Sequence, residues 1–307
     1  MLTASEVNAR VSTQTVKELS PSAQILLGKL YSPGERDRIR AAAKLANYQH
    51  PDVIRGLISA VKNESSEMVK RVILRSLGQM EDKQALPVIL TYINSSSQGI
   101  QIEALGAAVN FSSSSVKEAV LEKADSPNPI VRQKAVIYLG KLKQNNHAVY
   151  NKLIERLDDI SEAVRVAACK VLGDKQLKKS VEKLSEILSQ DRSEVVRKYA
   201  ATALGKIKVK GAQTALKAAL EDSSPEVRIT AAKGLAIAGS KSGLGEAIEA
   251  IKSLDARVRV MACEVIGMVG GESSRMFLEQ SAQDIDRRVQ EAAEESLKNM
   301  DKRLTKK

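Results

Sequence analysis

Apolar residues recur along the chain at helical spacing, in segment after segment, and short polar stretches separate the segments at near-constant intervals. Residues 176–208 show one unit. Leu177, Val181, Leu184, Ile187 and Leu188 mark the apolar face of a first helix, and Val195, Val196, Tyr199, Ala200, Ala203, Leu204 and Ile207 that of a second. The polar run from Ser189 to Ser193 suits a turn, and Asp191 or Ser193 can cap the second helix. Each unit therefore predicts an antiparallel helix pair, A then B. Pro127, Pro129 and Pro225 fall at the starts of B helices, and Pro51 and Pro87 at or near the starts of A helices, where a missing N–H costs little.

Within the B helices the pattern V-R-x-x-A-x-x-x-L-G repeats. Val131-Arg132 leads to Ala135 and Leu139-Gly140, Val164-Arg165 to Ala168 and Leu172-Gly173, and Val196-Arg197 to Ala200 and Leu204-Gly205. Val227-Arg228 and Val258-Arg259 continue it, and weaker copies start at Ile39-Arg40, Val69-Lys70, Ile100-Gln101 and Val289-Gln290, so the second position recurs every 30 to 33 residues. A fixed period of this size means a stacked array of repeats rather than a domain around one central core. The pattern predicts an all-α chain of about nine antiparallel helix pairs, the first near 20–47 and the last near 272–299. One array is assigned to 20–300, a capping helix or disordered segment to 1–19, and a fraying basic tail to 301–307. The motif Gly, as in Gly205, falls in the last turn of helix B and is expected to help end it.

The stretches SPEVRITAAKGL and SEVVRKYAATALGKI resemble HEAT repeats, most closely the short bacterial and archaeal type first described in phycobilisome lyases. The resemblance extends over about 280 residues and implies a right-handed α-solenoid. It also implies a ladder in which an acid of the A–B turn and the Arg of helix B tie neighbouring repeats together. Asp159, Asp191 and Asp222 precede Arg165, Arg197 and Arg228 by six residues; Glu64 precedes Lys70 by six and Asp125 precedes Arg132 by seven. Asp255 lies only four before Arg259, which puts that rung in question, and Gln101 and Gln290 replace the Arg. On this reading the Arg column is structural, not a stripe for binding phosphate.

Composition narrows the chemistry. Aromatic residues make up 3% and there is no Trp, so the core is Ala, Leu, Val and Ile, which suits closely approaching helices. Cys169 and Cys263 occupy one slot of two different repeats, filled elsewhere by residues such as Leu74, Val136 and Ala201. That is a core position, and three repeats of separation, roughly 30 Å, exclude a disulfide between them. His50 and His147 lie far apart in loops, and no metal, nucleophile-elbow or phosphate-loop motif is present, so neither catalysis nor a cofactor is expected. The first residues, MLTASEVNAR, do not read as a secretory signal and no apolar run is long enough to span a membrane; a cytoplasmic location is expected.

The net charge of +11 is unevenly spread. Arg165 to Lys217 holds 13 basic and five acidic residues, a surplus of eight in about a sixth of the chain. Lys141 and Lys143, then Lys175, Lys178 and Lys179, then Lys206, Lys208 and Lys210 all follow the end of a B helix. Stacking would align them as a lysine rim over three repeats, which favours an acidic protein surface or another polyanion. The primary expectation is a non-catalytic scaffold holding a partner protein on a concave face of B helices. Nucleic acid, held through phosphates without sequence preference, is the alternative. HEAT-like alkylpurine DNA glycosylases set a precedent for it, but their base-sensing aromatic pocket has no counterpart here. A bilin lyase-like subunit or chaperone is a further alternative, disfavoured by so few aromatics and by cysteines in core slots.

One repeat stands apart: residues 94–115 carry two serine-rich stretches and a helix with neither ladder acid nor Arg. Local softness or a bend is expected there. Amide exchange over 98–110 should be faster than over 193–207, and equal protection of the two would contradict this.

Overall fold

The computed structural model describes residues 18–143 and 147–305. Of the expected N-terminal segment 1–19, residues 1–17 lie outside them. The described chain folds into helix pairs and separates into two compact units, Met1–Val116 and Lys117–Lys307. The first holds α1 (Pro21–Lys29), α2 (Glu35–Leu45), α3 (Pro51–Asn63), α4 (Glu67–Met80), α5 (Leu86–Tyr92), α6 (Gln98–Ala108) and the first turn of α7 (Ser114–Lys123). The second continues with α8 (Pro129–Lys141), α9 (His147–Glu155), α10 (Glu162–Asp174), α11 (Val181–Gln190), α12 (Glu194–Ile207) and α13 (Lys210–Ala218). It ends with α14 (Pro225–Ile237), α15 (Leu244–Ala250), α16 (Ala256–Val269), α17 (Arg275–Ser281) and α18 (Arg287–Leu304). Odd-numbered helices are A and even-numbered are B. Helix α18 runs on to Leu304, into the stretch assigned to the basic tail.

Local chemistry sets the helix starts. Ser193 Oγ accepts from the Val196 N–H, Asn128 from those of Ile130 and Val131, and Asp286 from that of Arg288. Pro51, Pro129 and Pro225 open α3, α8 and α14. The motif positions then fill the core: Val131, Val164, Val196 and Val227 are buried, as are Ala135, Ala168, Ala200, Ala231 and Ala262, and Leu139, Leu172, Leu204 and Leu235.

In the second unit α8, α10, α12, α14, α16 and α18 pack each against the next; in the first, α2 packs on α4 and α4 on α6. The motif Gly serves this contact rather than ending the helix, since α12 and α16 both continue two residues beyond it. A Cβ on Gly205 would lie 2.7 Å from the Gly234 Cα, and one on Gly173 would lie 2.7 Å from the Ala203 Cα. Gly78 and Gly267 meet Ala107 and Ser296 in the same way. Any side chain there would push successive B helices apart.

The same helices are tied by charge. Arg165 Nε and Nη2 donate to Asp191 of the following turn at 2.7 and 3.0 Å, while its Nη1 donates to the Asp159 carbonyl of its own turn at 2.9 Å. Asp191 also accepts from the N–H of the cap residue Ser193 at 2.9 Å, so one carboxylate closes the turn ahead of helix B and receives the fork. Arg132 reaches Asp159, Arg197 reaches Asp222 and Arg259 reaches Asp284 with the same geometry. At side-chain exposures of 7% for Arg165 and 5% for Asp191, this pair faces the protein interior.

Several rungs depart from the six-residue spacing. The first is built by Arg38, not Arg40, and runs to Glu64. Asp125 makes no rung; it takes Lys152 and Arg156, and the Ser126 carbonyl receives Arg132 instead. Arg228 turns to Glu246 on α15, because Ser253 stands where an acid would be. Arg259 does form a rung, since its partner lies in the next turn and the spacing of Asp255 is immaterial. Between Glu64 and Arg132 no such fork forms among the described residues; there Arg75 grips Glu103 at 2.9 and 2.6 Å on the exposed side of α4 and α6.

Four rung carboxylates, Glu64, Asp159, Asp222 and Asp284, titrate low. Hydrogen bonds from Arg38, Arg197 and Arg259 hold Glu64, Asp222 and Asp284 below the ordinary carboxylate range; burial pushes Asp159 up, but the Arg132 fork and the Ser161 N–H bring it below that range as well. Depressed carboxylates contribute stability that is complete above the unfolded pKa, about 4, and that is lost as pH falls through the folded values. Asp222→Ala should cost about 2 kcal/mol at pH 7 by urea denaturation, less than the loss of a fully buried pair because Arg197 keeps some exposure. The gap to wild type should narrow below about pH 4; an undiminished gap at pH 3 would contradict a charge-based rung.

Candidate functional site

The eight rim lysines occupy corresponding points of three successive repeats, where a B helix passes to the next A helix. Lys141 ends α8 with its Nζ 5.4 Å from the Tyr138 ring centroid, and Lys143 follows in the loop. Lys175 caps α10 and is half-buried, and burial lowers its ammonium pKa. Lys178 and Lys179 lie exposed in a 3-10 turn ahead of α11. Lys206 is in the last turn of α12, Lys208 follows it and Lys210 opens α13. Lys206 Nζ is 2.6 Å from Asp174 of the preceding repeat, which compensates part of the surplus.

Beside the rim lies a groove of about 430 Å³ on the B-helix face. Three successive helices form it. α12 supplies Lys198, Tyr199, Thr202 and Lys206; α14 supplies Glu226, Thr230, Lys233, Gly234 and Ile237; α16 supplies Arg257, Val258 and Met261. Its origin is local: Gly234 and Gly205 meet without side chains between them, and the neighbouring threonines are short. The floor is therefore low, while Tyr199, Ile237 and Met261 stand as apolar walls.

Charged pairs between and within repeats frame the groove. Lys198 reaches Glu226 at 2.5 Å, Lys233 reaches Glu264 at 2.6 Å, and Arg257 lies 2.6 Å from Asp255 and 3.6 Å from Glu226. The Arg257 hydrogen bonds hold Asp255 down to about 2. Lys170 of α10 sits over Tyr199 with Nζ 4.4 Å from the ring centroid. A second groove, of about 510 Å³, opens on the A-helix side, between α11 and α13, lined by Ser185, Thr214 and other small residues.

Reactive side chains are committed elsewhere. Burial raises both thiols, Cys169 to about 12, so neither is a nucleophile at neutral pH. His50 caps α3 by accepting from the Asp52 N–H. Among the described residues no group of three or more His, Cys, Asp and Glu gathers as a metal site, and no helix is long and apolar enough to cross a membrane.

Of the eight rim lysines only Lys206 lines the groove. Lys198, Lys233 and Arg257 escape a reading focused on loops, because they lie within the helices. Only Lys233 carries a positional signal, standing five residues after the motif Arg as Lys170 and Glu264 do; Lys198 directly follows its motif Arg and Arg257 precedes its own by two.

The family profile described as HEAT repeats matches residues 23–101, 86–159, 150–225 and 212–298. None of the curated proteins compared with the chain matches it. Among solved structures, importin beta aligns at TM-score 0.63 and 16% identity over 90% of this chain and 46% of that one. Kap95p, in a structure with RanGDP, aligns at TM-score 0.63 and 14% identity over 94% and 46%. The chain thus spans about half the length of these two relatives in fold. The CpcE–CpcF complex of phycocyanin lyase from Nostoc sp. PCC7120 aligns at TM-score 0.43 and 17% identity, over 83% of this chain and 98% of that one.

Lys208 carries φ 55°, in the left-handed region that disfavours residues with a Cβ, and the corresponding residue of the next repeat is Gly239 at φ 78°. Lys208→Gly should therefore raise stability by about 1 kcal/mol while removing one rim charge. Urea denaturation reads the change, and a loss of stability would contradict the assignment.

Proposed function

Because the chain belongs to the HEAT-repeat family, an α-solenoid class that commonly serves as protein-interaction scaffold, we propose that it is a non-catalytic scaffold. It holds a partner protein on the B-helix face of its second unit, and the loop rim from Lys141 to Lys210 favours an acidic partner surface. The groove across α12, α14 and α16 is the observation that carries this reading, because it is an apolar recess on the face that successive repeats build together. Protein binding by a chain of similar fold is exemplified by Kap95p with RanGDP. The motif residues themselves support a scaffold: their apolar side chains are core and most of their arginines are rungs, so recognition falls to the positions between them.

Affinity capture from the source cell tests the proposal, with wild type compared with a variant in which Lys175, Lys178, Lys179, Lys206, Lys208 and Lys210 are alanine. A specific protein retained by wild type and depleted on the variant is expected. Retention of duplex DNA at low salt in place of any protein would overturn the protein-partner reading. Identical captures would remove the rim from it and leave only the helix face.

A further inference from the structure

We propose that the groove across α12, α14 and α16 takes an acidic segment of the partner, one large apolar side chain of which seats between Tyr199, Ile237 and Met261. This deepens the scaffold reading and rests on it. Shape is the first ground. At about 430 Å³ the groove is in the range, roughly 300–1,000 Å³, of sites that accept ligand groups. Ile237 is 39% exposed, and a side chain placed against it would bury apolar surface from both partners. Insertion of an amphipathic segment into such a recess is an established mode of peptide recognition.

Charge supplies the second ground and fixes the sign of the occupant. Four of the twelve lining residues are cations, Lys198, Lys206, Lys233 and Arg257, and Glu226 is the one acid. The carboxylates that balance Lys206 and Lys233, Asp174 and Glu264, lie outside the lining. The Lys206–Asp174 pair is exposed, at 46% and 64%, so exchanging its internal carboxylate for a partner's costs little, while the Lys233–Glu264 pair is half-buried. Lys170 has no carboxylate within 4.0 Å among the described residues; it rests on the Tyr199 ring at the groove wall. An incoming carboxylate would find it already positioned.

The adjoining recess between α16 and α18 has the opposite character. Glu264 and Glu295 line it together with Met268, and it contains no cation. An acidic segment is therefore drawn toward α10 and α12 and repelled beyond α16, which sets its place along the face.

Selection of random peptides of about twelve residues, displayed on phage, against the immobilised full chain tests this. The expected consensus is net acidic with one Leu, Ile, Phe or Met. Its affinity should fall at least 10-fold, or about 1.4 kcal/mol, on Ile237→Glu, and again on the Lys170→Glu/Lys206→Glu double variant. Urea denaturation of each variant verifies that it is folded. A basic or uncharged consensus overturns the proposal, as does no enrichment, or polyaspartate that binds as well as the selected peptides. Acidic peptides that ignore both groove variants but are lost when Lys175, Lys178 and Lys179 become alanine also overturn it, while leaving the scaffold reading standing. Peptides indifferent to all these variants would sink both.

Discussion

The forked hydrogen bond from the Arg of one repeat to the carboxylate of the next is the interaction on which the rest of the second unit depends. It combines three tasks. The carboxylate closes the turn ahead of its own B helix through a backbone N–H, as Asp191 does with Ser193. The guanidinium closes its own turn by donating to a backbone carbonyl, as Arg165 does with Asp159. The fork between them fixes how far and at what rotation the next repeat sits. Two charges at this burial would be costly if either were left alone, so a repeat docked out of register would strand an ion in the interior.

Close approach of the B helices completes the constraint. With glycine or alanine at the contact, backbone meets backbone, and side chains of any size are displaced to the two flanks. One flank faces the A helices and is filled by Val, Ala and Leu. The other is open, and there the chain carries Lys, Tyr, Thr, Glu and Met in varied order. The groove exists because the packing rule removes side chains from its floor while leaving its walls free to vary.

The fold was legible because its determinants are local and periodic. Val131, Ala135 and Leu139 recur at the same places in later repeats, and burial follows the period at those positions except at Leu297 of the last repeat, which is half-buried. The rungs were legible as residue types but not as partners. Arg165 pairs with a residue 26 positions ahead, and the carboxylate six residues behind it, Asp159, receives the fork of the preceding Arg132 rather than that of Arg165. Substitutes such as Glu246, drawn from a helix rather than a turn, carry no spacing signal at all. The lysine concentration between Arg165 and Lys217 was visible by counting. The groove was not, since it needs the distance between α12 and α14, and that distance depends on Gly205 meeting Gly234.

The rungs also have a direction. Each repeat offers a donor forward and an acceptor backward, so the contact is head-to-tail and, unlike a twofold contact, contains nothing that limits its own continuation. Gln290 departs from that scheme: its amide closes its own turn by donating to the Asp284 carbonyl at 2.6 Å, as the motif Arg would, yet it projects no charge for a further acceptor. A neutral side chain at that position separates the two tasks of the motif Arg, keeping the turn closed while giving up the forward ion pair.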